Sequence, residues 1–211
     1  MTTRRPRTIL LTLSATILGL AGLTLAAKPA VQAKAPAAPA SGAYAIDAGH
    51  SSVLFRIKHL DTAWAFGRFN EFSGEVAFDE KNPEKSSIKI TLEMESVDTG
   101  IGKRDDHIRS GDFFDAGQFP TSSFTSKSVK KGAGGKYTVT GDLEMHGVTK
   151  PITLDLEVSG ASSGKMGVRA GFYGTFSFKR SDFGMSTMLE ALSDEVHVTV
   201  SLETVQSGDK R

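Results

Sequence analysis

The chain has 211 residues, a formal net charge of +1 and no cysteine. Disulfides, thiol catalysis and cysteine-held metals are thereby excluded, and the near-zero charge argues against nucleic acid, which calls for a basic patch or stripe. The length fits one domain, and 22 glycines among many short apolar runs lean toward β structure.

Arg4, Arg5 and Arg7 form a positive n-region, Ile9 to Ala27 is uncharged and mostly apolar, and Val31-Gln32-Ala33 offers small residues at a cleavage site. Residues 1–33 therefore read as a cleavable secretory signal peptide; a retained N-terminal anchor is the alternative. Residues 34–43 (KAPAAPASGA) read as a Pro/Ala-rich linker. The domain is expected over residues 44–207.

From there apolar and polar residues alternate with period two, the pattern of strands with one buried face. Val53, Phe55 and Ile57 oppose Leu54, Arg56 and Lys58; Ile88, Ile90, Leu92 and Met94 oppose Lys89, Thr91, Glu93 and Glu95. The same holds over 137–145, 152–158, 168–179 and 196–203. Weaker runs, Arg68 to Phe78 and Ser122 to Val129, complete eight strands. Asp79 to Pro83, Gly132 to Gly135, Gly147 to Lys150 and Ser159 to Gly164 read as loops by composition. Lys103 to Ser110 (KRDDHIRS) is too charged for a half-buried strand and reads as a short helix crossing an end of the domain.

Eight strands with one apolar face bury it in a sandwich or a barrel. The run from Val168 to Arg180 spans more than about 35 Å at 3.3 Å per residue, which favours a barrel. The polar alternate face points outward, the reverse of an outer-membrane barrel. An eight-stranded barrel is either filled by side chains or holds one small ligand, and the inward face is equally apolar in both cases.

Four motifs occur in order: Asp47…His50-Ser51…Val53…Phe55…His59 with Gly67…Phe69…Phe72…Gly74; Thr99…Arg104-Asp105…His107-Ile108…Ser110…Asp112-Phe113-Phe114-Asp115…Phe119-Pro120; Leu143…His146-Gly147-Val148-Thr149-Lys150-Pro151; and Arg180…Asp182-Phe183-Gly184-Met185. Over nearly the whole mature chain, from Tyr44 to about Val205, the sequence resembles the YceI-like family of polyisoprenoid-binding or lipid-binding periplasmic proteins. The resemblance implies an all-β, eight-stranded antiparallel lipocalin-like barrel with one short helix crossing an end, and a long pocket for an isoprenoid or acyl chain. The loop Asp61 to Phe66 is more aromatic than the family pattern leads one to expect.

The inward set that would line such a pocket is Val53, Phe55, Ile57, Phe69, Phe78, Ile90, Leu92, Val139, Leu143, Leu154, Leu156, Phe172, Phe176, Phe178, Val198 and Val200, each equally readable as plain core. Trp64 and Phe66, read in a loop, are candidates to gate the pocket or touch a membrane; capping the barrel mouth is the alternative. Lys103, Arg104, His107 and Arg109 are candidates for an anionic head group, although Asp105 and Asp106 can neutralise them. His59 continues the inward phase of its strand, as a core histidine or a head-group contact. Arg180 and Asp182 are candidates for a structural pair.

The five histidines form no metal motif, and Gly-x-Ser-x-Gly is absent. Ser128…Lys131 and Ser162…Lys165 match Ser-x-x-Lys without partner motifs, and Gly160 to Lys165 falls one residue short of a phosphate loop and reads as a hairpin turn. No catalytic residues and no metal are therefore expected, and no cofactor beyond a bound lipid such as a polyisoprenoid, quinone or fatty acid derivative.

The reading is a periplasmic binding or carrier protein that sequesters a long-chain amphiphile, touches membranes transiently, and is a monomer or homodimer. One rival is an enzyme acting on an isoprenoid or acyl lipid, with His107 and nearby carboxylates as acid and base. The other is a filled barrel serving as a protein-interaction module; against it, no exposed strand is expected to carry a large apolar stripe.

Overall fold

The computed structural model describes residues 37–208. The signal-peptide reading of residues 1–33 and the first three residues of the linker lie outside them. Eleven strands, all paired antiparallel, form one sheet: β1 (Gly42–Ile46), β2 (Ser52–His59), β3 (Ala63–Phe69), β4 (Phe72–Phe78), β5 (Ser87–Glu93), β6 (Val97–Asp98), β7 (Thr121–Lys131), β8 (Lys136–Met145), β9 (Val148–Gly164), β10 (Gly167–Lys179) and β11 (Leu192–Gln206). One helix, α1 (Gly102–Arg109), lies where the charged segment was expected.

Eight strands close a ring in the order β1-β4-β5-β7-β8-β9-β10-β11, with β11 returning to β1. The closing pair is short, Tyr44 to Ile46 against Thr204 to Gln206. Over its other half, Leu192 to Ser201, β11 pairs with β2 instead. Strand β2 carries β3, and β3 carries β6 over only Arg68 and Phe69. The barrel is therefore tight at the β1 end and widened at the other by β2 and β3.

Several sequence expectations change. An additional strand, β1, straddles the boundary drawn between linker and domain: Pro39 is buried, Tyr44 is fully buried, and its hydroxyl donates to the Ala40 carbonyl at 2.7 Å. Arg68 to Phe78 is the end of β3 plus all of β4. Of the expected loop Gly147 to Lys150, only Gly147 lies in a turn. The β8–β9 turn is only His146-Gly147, both at positive φ (51° and 71°), the two-residue hairpin form. Ser159 to Gly164 is strand as well, and of GASSGK only Lys165 enters the hairpin turn. The chain reverses at Lys165-Met166, and Ser159 is an unpaired bulge residue between Val158↔Phe172 and Gly160↔Gly171. Trp64 and Phe66 lie on β3, not in a loop.

The tight end is packed solid. Phe78 meets Tyr137 at 5.9 Å and Phe172 at 5.8 Å between ring centroids, with Val76, Val139, Leu154, Leu156 and Leu202 around them, all buried. Gly74 lets β4 and β5 approach closely: a Cβ there would overlap the Lys89 carbonyl oxygen. Outside this end, the Arg169 guanidinium on β10 bonds both Asp47 Oδ2, at 2.8 Å, and Glu203 of β11. His50 Nδ1 also meets Asp47 Oδ2 at 3.0 Å. The Arg169 bond, then the His50 bond, hold the Asp47 carboxyl below the usual carboxylate range.

Gly74→Ala is expected to cost about 1–3 kcal/mol through overpacking against a backbone oxygen, read from urea unfolding. Because the folded pKa of Asp47 lies below its unfolded value of about 3.9, the carboxylate stabilises the fold above that pH, and the contribution is lost as pH falls through the folded value. Arg169→Met is accordingly expected to be less stable than the wild type at neutral pH, with a gap that narrows as the pH is lowered past about 3.9. A gap that stays constant would assign the loss to packing alone.

Candidate functional site

At the widened end the barrel holds a cavity of about 520 Å³, within the roughly 300–1,000 Å³ of small-molecule sites. Its walls are the inner faces of β2, β3, β5, β8, β10 and β11, with α1 and the segment after it across the mouth. The inward side chains show the void directly. Phe55, Leu92, Phe176, Phe178 and Val198 pack against the core yet stay partly exposed, whereas their counterparts at the tight end are buried.

Of the sixteen inward residues expected to line a pocket, Val53, Phe55, Ile57, Phe69, Leu92, Leu143, Phe176, Phe178 and Val198 border the cavity. Phe78, Ile90, Val139, Leu154, Leu156, Phe172 and Val200 do not. They are buried in the packed core, where the narrower ring leaves no room for a void. The division falls within the stretch of β11 that pairs with β2: Val196 and Val198 border the cavity, whereas Val200, paired with Val53 of the same strand, is packed.

Gly67 shapes the wall. It pairs across strands with Phe55, whose ring lies where a Cβ would stand. Phe55 in turn meets Phe69 at 5.7 Å, and Phe69 meets Phe114 at 5.8 Å. Phe113, Phe114, Ile108, Met185 and Met188 also border the cavity. They sit on helical, turn or irregular segments, so period-two alternation does not find them; the quoted motifs containing Phe113, Phe114, Ile108 and Met185 were the available signal.

The polar candidates separate clearly. Arg104 borders the cavity, with Nε donating to Thr99 Oγ1 at 2.7 Å and Nη2 to the Thr99 carbonyl at 2.6 Å. Asp105 does not neutralise it. Its buried carboxylate instead accepts the Thr99 N–H at 2.9 Å and the Thr99 hydroxyl, which fixes Thr99 as the seat of Arg104. His107 lies at the rim, bonded to Asp112 Oδ2 at 2.9 Å and edge-on to Phe113.

Arg109 and Lys103 do not border the cavity: Arg109 is engaged by Asp106 at 2.6 Å and Glu95 at 3.5 Å, and Lys103 is exposed. His59 is no core histidine. It ends β2 exposed at the cavity mouth, beside the β11 bulge where only Leu192 and Val196 pair with β2.

Arg180 is the buried cation of the site, 3% exposed. It does not pair with Asp182. Its guanidinium donates to four backbone carbonyls, those of Ser193 (3.1 Å), Met185 (2.9 Å), Thr187 (2.7 Å) and Leu192 (3.1 Å). Burial pulls its pKa below the usual arginine value, while the charges of Asp194 and Glu190 oppose that shift. Its donors are spent on holding the loop before β11.

Trp64 and Phe66 are among the residues that border the cavity, at its edge, but their rings lie on the outer face. Strand parity places Ala63, Ala65 and Gly67 inside and the two aromatics outside, where Arg56 lies 4.3 Å over the Trp64 ring and His197 meets it edge-on at 5.2 Å. Leu54, Trp64 and Phe66 also form an exposed apolar stripe on β2 and β3, contrary to the expectation that no strand carries one.

At the opposite end, Asp47, His50 and Glu203 lie close enough to share a metal ion. However, the Arg169 guanidinium already bonds both carboxylates, so the donor set is that of an ion-pair cluster.

A UPF0312 protein of Yersinia enterocolitica is 42% identical over 191 residues, 89% of this chain and 97% of that one. Among solved structures, BcnA of Burkholderia cenocepacia superposes with a TM-score of 0.69 at 28% identity, covering 75% of this chain and 98% of that one. A polyisoprenoid-binding domain of Saccharophagus degradans, implicated in plant cell wall breakdown, shares the fold at a TM-score of 0.63 and 20% identity, over 77% of this chain and 98% of that one. The YceI-like domain family model matches residues 44–204, and the chain belongs to the YceI-like family.

Proposed function

We propose that the protein is a periplasmic carrier that holds the apolar tail of a long-chain amphiphile, such as a polyisoprenoid, in the widened half of the barrel. The observation that carries this reading is a preformed cavity of about 520 Å³ walled almost entirely by aliphatic and aromatic side chains. The polyisoprenoid-binding domain that shares the fold supports the ligand class, and the residue 1–33 signal pattern supports export. Each methylene moved from water into the cavity contributes about 0.8 kcal/mol before ordering costs.

Orientation comes from the rim. Arg104 is held by Thr99 beside the cavity and, among the described residues, has no carboxylate within ion-pair distance. A phosphate, carboxylate or quinone oxygen at that end of the ligand would take up its remaining donor capacity. A carrier reading also requires that the ligand leave chemically unchanged. The His107–Asp112 pair is a polar dyad at the mouth that an enzymatic reading would use, and both side chains are solvent-exposed.

Native mass spectrometry of protein taken from its own cell envelope, followed by extraction, is expected to show one long-chain lipid per chain, recovered intact. An altered lipid, or no binding of any added prenyl or acyl compound, would refute the carrier. Val198→Trp, which fills the cavity, is expected to weaken geranylgeraniol binding at least tenfold with the fold retained by circular dichroism. Arg104→Ala is expected to weaken geranylgeranyl phosphate about tenfold, or ~1.4 kcal/mol, and to leave geranylgeraniol unaffected. An equal loss for both would assign Arg104 to wall packing.

A further inference from the structure

We propose that the outer face of the β2–β3 hairpin is a docking surface for an anionic phospholipid bilayer, and that it sets the cavity mouth against that bilayer. The register fixes what this face presents. Leu54, Arg56 and Lys58 of β2 stand opposite Arg68, Phe66 and Trp64 of β3. These outward positions hold three apolar side chains and three cations, and no carboxylate. The chain as a whole carries a net charge of only +1, so the local excess is not a reflection of general basicity. Other outward faces carry carboxylates: β9 shows Asp155 and Glu157, and Lys179 of β10 pairs across strands with Glu195 of β11.

The apolar groups are too exposed to serve the fold. Phe66 is 61% exposed, and Leu60, at the hairpin turn, is 57% exposed. Leu60 and Asp61 both sit at positive φ (50° and 52°), a conformation that costs a non-glycine residue free energy. The turn is pinned to the cavity rim, with Leu60 N–H donating to the Ala191 carbonyl at 2.7 Å. Beside it lie Met188 and Leu189, both exposed, and Met188 borders the cavity. A ridge of bare apolar side chains thus runs from the mouth down the hairpin.

The cations sit among these side chains rather than apart from them. Besides Arg56, Lys58 Nζ lies 5.4 Å from the centre of the Trp64 ring. An aromatic ring flanked by long basic side chains suits the boundary between head groups and acyl chains, where the ring is half-buried and the cations reach lipid phosphates. The nearby acids are few: Asp61 at the turn, Asp98 opposite Arg68 and Glu195 beside His197. The composition of this face does not depend on what the cavity holds, and the two readings fail separately.

Trp64 is the only tryptophan in the chain, so its emission reports this face alone. With vesicles of 30% phosphatidylglycerol in phosphatidylcholine, the expected result is a blue shift of Trp64 and its quenching by brominated acyl chains, both diminished in high salt. The variant Arg56→Glu with Lys58→Glu is expected to bind those vesicles at least tenfold more weakly. Its circular dichroism and its uptake of geranylgeraniol from solution should remain those of the wild type. An unshifted Trp64, equal response to pure phosphatidylcholine, or a double variant that responds like the wild type would each overturn the proposal. A wild-type protein that shows the Trp64 response but takes up no geranylgeraniol would refute the carrier reading and leave the docking surface standing.

Discussion

The architecture depends on one strand having two partners. β11 closes the barrel through β1 over three residue pairs and then gives its edge to β2 for the rest of its length. Where β1 sits, the ring is narrow and bulky inward residues such as Tyr44, Phe78 and Phe172 fill it. Where β2 and β3 sit, the wall is longer and comparable side chains no longer meet across the middle. The cavity is thus a result of strand bookkeeping, with no need for a special set of lining residues.

That dependence explains what was legible in the sequence. Period-two alternation identified most strands and their inward faces, because a sheet with one dry side must write that pattern. It could not separate Val198 from Val200, since both are inward valines of one strand paired with β2, and only one of them borders the cavity. Nor could it find β1, where Pro and Ala dominate the approach and one fully buried tyrosine does most of the anchoring. β3 was misread for a sharper reason. Its alternation runs in size, Ala63 and Ala65 inward against Trp64 and Phe66 outward, with the polarity rule inverted.

The two cavity arginines show why residue type underdetermines role. Arg180 is the deeper, yet four backbone carbonyls consume its donors, and it acts as a fastener for the segment leading into β11. Arg104 is shallower and is positioned by one threonine, itself positioned by Asp105. Both belong to the sequence motifs, and nothing in the motifs ranks them. The distinction rests on the count of partners around each guanidinium.

β3 pairs with β6 only at Arg68 and Phe69, so among the described residues its outer edge from Ala63 to Gly67 has no strand beside it. A tube sealed at its foot and unseamed along one side near its top measures from the foot alone. Under the carrier reading, an extended molecule seated in it would rest its inner terminus on the packed floor, and its surplus length would meet the one stretch of wall with no strand beyond it. Selection would then act on the shape and width of the first segment more than on total length.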